Sequence, residues 1–194
     1  MAENEIRKLS FNEIFIRQPN LDELKQLKRL PIFVVAENIR SMHNVGSIFR
    51  TSDGVRIEHL YLTGFTARPP RMEIEKTALG ATDSVPWSYA KDPIPILQRL
   101  KAQGVQIVVV EHTTQSQNFL QADYRFPVCL VVGNEVDGVS EEVVQMADLA
   151  VEIPMLGIKQ SLNVSVAYGV VLYHVLGKYL KFNKFNLDKY SPNR

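Results

Sequence analysis

Five short apolar runs, rich in β-branched residues and almost free of alternation, constrain this chain more than any other feature of its sequence. They are Ile32–Ala36, His59–Leu62, Val105–Val110, Val128–Val132 and Leu149–Ile153, and Val128-Cys-Leu-Val-Val132 holds no charged or amide side chain. A strand wetted on one face alternates polar and apolar residues, so a run without alternation must be covered on both faces. Helical patterns separate the runs, at Leu21–Leu30, Val45–Asp53, Glu73–Leu79, Ile94–Gln103, Ser140–Met146 and from about Leu162 to Leu180. Strands alternating with helices in this way predict an α/β chain, a parallel-sheet α/β/α sandwich. Two helix starts are marked: Ser140 precedes Glu141 and Glu142, and Asp92 precedes Pro93 and Pro95, prolines tolerated in an opening turn. At 194 residues the chain fits one domain, placed at 31–180, with 1–30 as an N-terminal arm and helix and 181–194 as a basic, aromatic tail.

Composition removes several function classes. The lone Cys129 lies inside the fourth apolar run, which excludes an internal disulfide and thiolate zinc ligation and reads as a buried core thiol. His43, His59, His112 and His174 are scattered without metal-ligand spacing, so no metal is expected. His43 is the one histidine read as near a substrate. Trp87, after Val85-Pro86, reads as a packing or dimer residue. The start, Met-Ala-Glu-Asn-Glu, resembles no secretory signal, and no apolar run approaches the ~20 residues of a membrane span, so the expectation is a cytoplasmic protein with no membrane partner. A nucleophile elbow, GxSxG, is missing.

The net charge of +1 is an average. Residues 102–152 carry one basic and eight acidic side chains, whereas 153–194 carry six basic and one acidic. Such asymmetry keeps a polyanionic partner open. The tail interleaves Lys178, Lys181, Lys184, Lys189 and Arg194 with Tyr179, Phe182, Phe185 and Tyr190, which suits either phosphate contacts with base stacking or aromatic docking of the last helix.

Three segments could hold chemistry. After the first strand neither GxGxxG nor GxxxxGK[ST] occurs. Instead Asn44-Val-Gly46-Ser-Ile-Phe-Arg50 opens a helix, where Arg50 either joins an anion site or pairs with Asp53 or Glu58. The fourth strand runs into Gly133-Asn-Glu135-Val-Asp-Gly138-Val-Ser140, at the carboxyl end of a parallel strand where ligands bind; Glu135 there either accepts hydrogen bonds from a partner group or is solvated. The third segment, Ile153-Pro-Met155-Leu-Gly157 and Ser161-Leu162-Asn163-Val-Ser165, ends a strand and opens the last helix. Ser161 there reads as a helix cap, and Asn163 and Ser165 require polar partners if buried.

Together these segments resemble the three signature motifs of the SpoU (TrmH-like) family, RNA ribose 2′-O-methyltransferases of the SPOUT class, and Glu75-Lys-Thr-Ala-Leu-Gly80-Ala resembles its middle loop. The resemblance implies a C-terminal trefoil knot and S-adenosylmethionine held by main chain around Gly133 and by Ile153, Met155 and Leu162, with the loop after Val110 close by. Glycines 133, 138 and 157 are expected where the knot's loops turn tightly. It implies Arg50 as catalytic arginine, with Asn44, Glu135, Ser161 and Asn163 as its polar shell and a homodimer completing the site. The expected partner is structured RNA, tRNA ahead of rRNA; the alternative from another class is a non-catalytic RNA-binding module. Arg56 stands where the family has a glycine at the end of the first helix.

Overall fold

Burial on both faces is realised in one seven-stranded sheet. The structure is a computed structural model and describes residues 6–183. In chain order the elements are α1 (Phe11–Phe15), α2 (Leu21–Gln26), β1 (Leu30–Glu37), α3 (Met42–Val55), β2 (Ile57–Thr63), α4 (Met72–Ala78), α5 (Ala81–Ser84), β3 (Trp87–Ala90), α6 (Ile94–Ala102), β4 (Gln106–Val110), β5 (Gln117–Asn118), β6 (Val128–Val132), α7 (Glu141–Met146), β7 (Leu149–Glu152) and α8 (Val164–Phe182). Every pairing is parallel and the strand order is β3-β2-β1-β6-β4-β7-β5.

The most apolar run makes the central strand. All of β6 is buried between β1 and β4. Residues alternate along β1 between two cores: Ile32 and Val34 pack with Phe49, Ile74 and Tyr168 under α3, α4 and α8, while Val35 packs with Leu97, Leu100 and Val143 under α6 and α7. The chain steps outward from β1 to β2 and β3, then crosses to the other side of β1, so the order reverses between β1 and β6. Crevices outside the carboxyl ends of strands open at such points.

Several boundaries differ from expectation, each for a local reason. The second helix stops at Gln26, because Leu30 N donates to Arg56 O at 3.0 Å and opens β1. The helix expected from Val45 starts at Met42, its cap being Ser41, whose hydroxyl accepts from Asn44 N at 3.4 Å. It ends at Val55, and the following cap residue Arg56 takes a left-handed conformation with φ 59° where glycine is the usual residue. The last helix begins at Val164 with Asn163, not Ser161, as its cap, the Asn163 side chain accepting from Ser165 N at 2.9 Å. The strands β3 and β5 carry no continuous apolar run because they are part-exposed and flank the sheet.

Trp87 is a packing residue, edge-on to Phe49 with centroids 6.0 Å apart. Cys129 is fully buried, and burial pushes its thiol pKa up. No residue of α1 or α2 is buried. In the tail Tyr179 docks edge-on to Phe126 at 4.9 Å while Phe182 is exposed; Lys184, Phe185, Lys189, Tyr190 and Arg194 lie outside the described residues. Among the described residues no helix is long and apolar enough to cross a membrane.

Candidate functional site

The loop after β6 is folded tightly on itself. Asn134 and Gly138 exchange main-chain hydrogen bonds of 2.9 and 3.0 Å, and the Asn134 side chain accepts from Val136 N and Asp137 N. Gly133 leaves no room for a side chain, since a Cβ there would meet the Gly138 carbonyl and Val139 N. Gly138 turns through φ 72°, a conformation glycine adopts without strain.

Three carboxylates fix this loop to its neighbours. Glu37, 3% exposed at the end of β1, accepts from Ser140 N at 3.0 Å and from Ser140 Oγ at 2.6 Å. Glu111, just past β4, accepts from Val139 N at 2.9 Å and from His112 N at 2.8 Å. Glu135 reaches the other way and accepts from Arg40 N at 2.8 Å, Ser41 N at 3.0 Å and Asn44 Nδ2 at 2.7 Å. Asn44 Oδ1 in turn accepts from Asn163 Nδ2 at 3.1 Å and Ser165 Oγ at 3.5 Å. A hydrogen-bonded chain Glu135–Asn44–Asn163 therefore joins the three motif segments.

Beside this chain the loops after β4, β6 and β7 enclose a cleft of about 340 Å³. Gly133, Glu135, Ile153, Met155, Ser161, Leu162 and Asn163 all line it, as do Glu111, His112, Asp137 and Glu152. Asn44 reaches the cleft through its bonds to Glu135 and Asn163. Arg50 does not line it. Six residues beyond Asn44 along α3 correspond to about 9 Å of rise and about 120° of rotation, and Arg50 is exposed with no ion pair among the described residues. Asp53 accepts instead from Ser84 Oγ.

Sequence reasoning did not single out Glu37, Glu111 or His112, although it placed the loop after Val110 near the cofactor; His43, read as near a substrate, is not among the residues that line the cleft. His112 stands 3.3 Å from Glu152 Oε2 and 3.2 Å from the Gln160 carbonyl, tying the β4 loop to the segment after β7. Their one trace in the sequence is position: Glu37 and Glu111 directly follow apolar runs, at the carboxyl ends of strands, and His112 comes next. Among the described residues no group of three or more His, Cys, Asp or Glu could hold a metal ion.

Electrostatics at Glu135 give a first test. Burial alone would raise its carboxyl, but hydrogen bonds from Ser41 N, Arg40 N and Asn44 Nδ2 together hold it below the ordinary value. A depressed folded-state pKa contributes stability that is present above the unfolded value of about 4.3 and is lost as pH falls through the folded one. Thermal unfolding of the wild type is therefore expected to fall more steeply below about pH 4.5 than that of Glu135→Gln. An equal decline in both would detach Glu135 from the acid sensitivity.

The SpoU rRNA Methylase family matches residues 31–173. This chain belongs to that family. A tRNA (guanosine(18)-2′-O)-methyltransferase of Aquifex aeolicus is 39% identical over 161 residues, covering 81% of this chain and 74% of the relative. The crystal structure of the A. aeolicus TrmH/SpoU tRNA modifying enzyme superposes with a TM-score of 0.77 at 36% identity, over 85% of each chain. An AdoMet-bound rRNA methyltransferase from Sinorhizobium meliloti gives 0.72 at 28% identity, over 81% of this chain and 60% of that one. The SpoU match runs from β1 into the middle of α8 and includes every residue of the Glu135–Asn44–Asn163 chain.

Proposed function

We propose that this chain is an S-adenosylmethionine-dependent methyltransferase acting on a ribose 2′-hydroxyl of tRNA. The observation that carries this reading is the convergence of Asn44, Glu135 and Asn163, from three distant segments, beside one cleft. The donor set fits S-adenosylmethionine. Gly133 permits main-chain contact, Ile153, Met155 and Leu162 offer apolar surface to a ring, and the carboxylates of Glu111, Glu135, Asp137 and Glu152 suit a cationic ligand. When bound, its sulfonium supplies the methyl group. The family's knot is the arrangement this reading assigns to the three cleft loops.

The protein's own part is positioning and charge. Glu135 and Asn163 hold the Asn44 amide, which fixes the start of α3 against the cleft. Ser161 and Asn163 face the cleft and orient the ribose. Arg50 is a poor base, because guanidinium pKa exceeds about 12. It stabilises charge developing on the ribose oxygen and holds the adjoining phosphate, while phosphate or water takes the proton.

Arg50 needs a second copy to meet a complete site. It precedes Thr51, whose Cγ2 lies 3.7 Å from where a Cβ on Gly169 of α8 would stand. The same helix exposes Val166, Val170 and Tyr173, at 50, 38 and 52%. This apolar face is the homodimer contact in the proposed reading. Val170→Arg is expected to give monomers in sedimentation velocity and to lose methyl transfer; dimers retaining activity would place the contact elsewhere. The cytoplasm, where tRNA is available, is the proposed location.

The direct test incubates the protein with methyl-labelled S-adenosylmethionine and either tRNA or rRNA, then maps 2′-O-methyl groups. Label on tRNA ribose is expected. Label on rRNA alone would change the substrate, and binding of RNA without S-adenosylmethionine would support the non-catalytic module.

A further inference from the structure

The loop between β2 and α4 lies on the same edge of the sheet as the cleft. Its first half is tied to the end of β1: Phe65 N donates to Asn38 Oδ1 at 3.1 Å, Ile39 N donates to Thr66 Oγ1 at 2.9 Å, and Thr66 Oγ1 donates to Ala36 O at 3.0 Å. Asn38 is also tied to the cleft loop, its carbonyl accepting from Asn134 Nδ2 at 2.8 Å. Burying Thr66, 3% exposed, leaves the neighbouring Phe65 ring pointing outward at 63% exposure. One exposed phenylalanine is ordinary. Its surroundings are not.

The Arg68 guanidinium lies 4.3 Å above the Tyr89 ring, and the Tyr89 hydroxyl donates to Gly64 O at 2.8 Å, so the arginine is stacked on a fixed platform. Arg68, Arg71 and Arg40 are exposed and make no ion pair among the described residues, although Glu73 shares an open hollow with Arg68 and Arg71. An outward aromatic ring on the same loop as guanidiniums without ion pairs, with backbone bonded to the cleft loop, suits unpaired nucleotides. Aromatic faces stack bases, and guanidiniums hold phosphates.

We propose that Phe65, Arg68 and Arg71 form an RNA-docking surface for an unpaired nucleotide near the target ribose, its base on Phe65 and its flanking phosphates on Arg68 and Arg71. The proposal rests on the RNA methyltransferase reading above. It adds a basic, aromatic surface in the first half of the chain to the one expected of the C-terminal tail.

The test measures binding of an unmodified tRNA transcript and of a blunt RNA duplex across a salt series, with S-adenosylmethionine binding by calorimetry as the check on folding. Phe65→Ala is expected to weaken tRNA binding on the order of tenfold and duplex binding little, with Phe65→Trp near wild type. Arg68→Ala with Arg71→Ala is expected to reduce the slope of log affinity against log salt by about 0.7–0.9 per lost phosphate contact. Unchanged affinity and slope in both variants, with a wild type that methylates tRNA, would overturn the surface and leave the activity standing. A Phe65→Trp loss equal to that of Phe65→Ala overturns the stacking role. A wild type that transfers no methyl group to any RNA sinks the reading and this surface with it.

Discussion

Replacing Arg50 by Ala is expected to lower methyl transfer about 10²–10³-fold while S-adenosylmethionine affinity stays at the wild-type value. The separation follows from position. Arg50 lies on α3 outside the cleft lining, so removing its side chain takes nothing from the cleft. Neither Asp53 nor Glu58 pairs with it, so its guanidinium is available to a phosphate or a developing alkoxide. Arg50→Lys keeps charge but loses the planar fork, and a roughly tenfold loss is expected if two-point contact with phosphate matters. Single-turnover transfer and calorimetry separate the two quantities. Transfer near wild type in Arg50→Lys would remove the need for a guanidinium, and lost cofactor binding in Arg50→Ala would place Arg50 in a different role.

How much of this was legible in the sequence depends on which force writes the signal. Double-sided burial leaves a run of apolar residues, so β1, β2, β4 and β6 could be read directly, and β7 was read from its apolar run although only Val151 in it is buried. The edge strands β3 and β5 are part-exposed and leave no such trace. The motifs carried Asn44, Glu135 and Asn163 but not their contacts. Asn44 and Glu135 are 91 residues apart and Asn44 and Asn163 are 119 apart, and only the sheet order, with β6 inserted beside β1, makes them neighbours. Glu37 and Glu111 escaped notice because a carboxylate after an apolar run looks like a solvated loop residue. Their importance comes from main-chain donors at Ser140 and Val139 that the sequence does not display. The acidic quarter has gained a place, since Glu111, Glu135, Asp137 and Glu152 line the cleft.

The glycines show the same limit and supply the second large effect. Sequence pattern treats 133, 138 and 157 alike, as small residues in tight loops. The structure separates them. A Cβ at Gly133 would strike main chain at Gly138 and Val139, held in place by Glu111 and by the Asn134–Gly138 bonds, whereas a Cβ at Gly157 meets nothing within 4 Å and its φ is not positive. Gly133→Ala is therefore expected to force the loop open and abolish measurable S-adenosylmethionine binding, with a stability loss of about 1–3 kcal/mol from overpacking. Gly157→Ala is expected to bind and unfold as wild type does, or to gain slightly because the unfolded chain loses freedom. Calorimetry and thermal unfolding of the pair decide the matter. Gly133→Ala that binds normally would mean the loop opens at little cost, and the close approach of backbone at Gly133 would then be no part of the cofactor site.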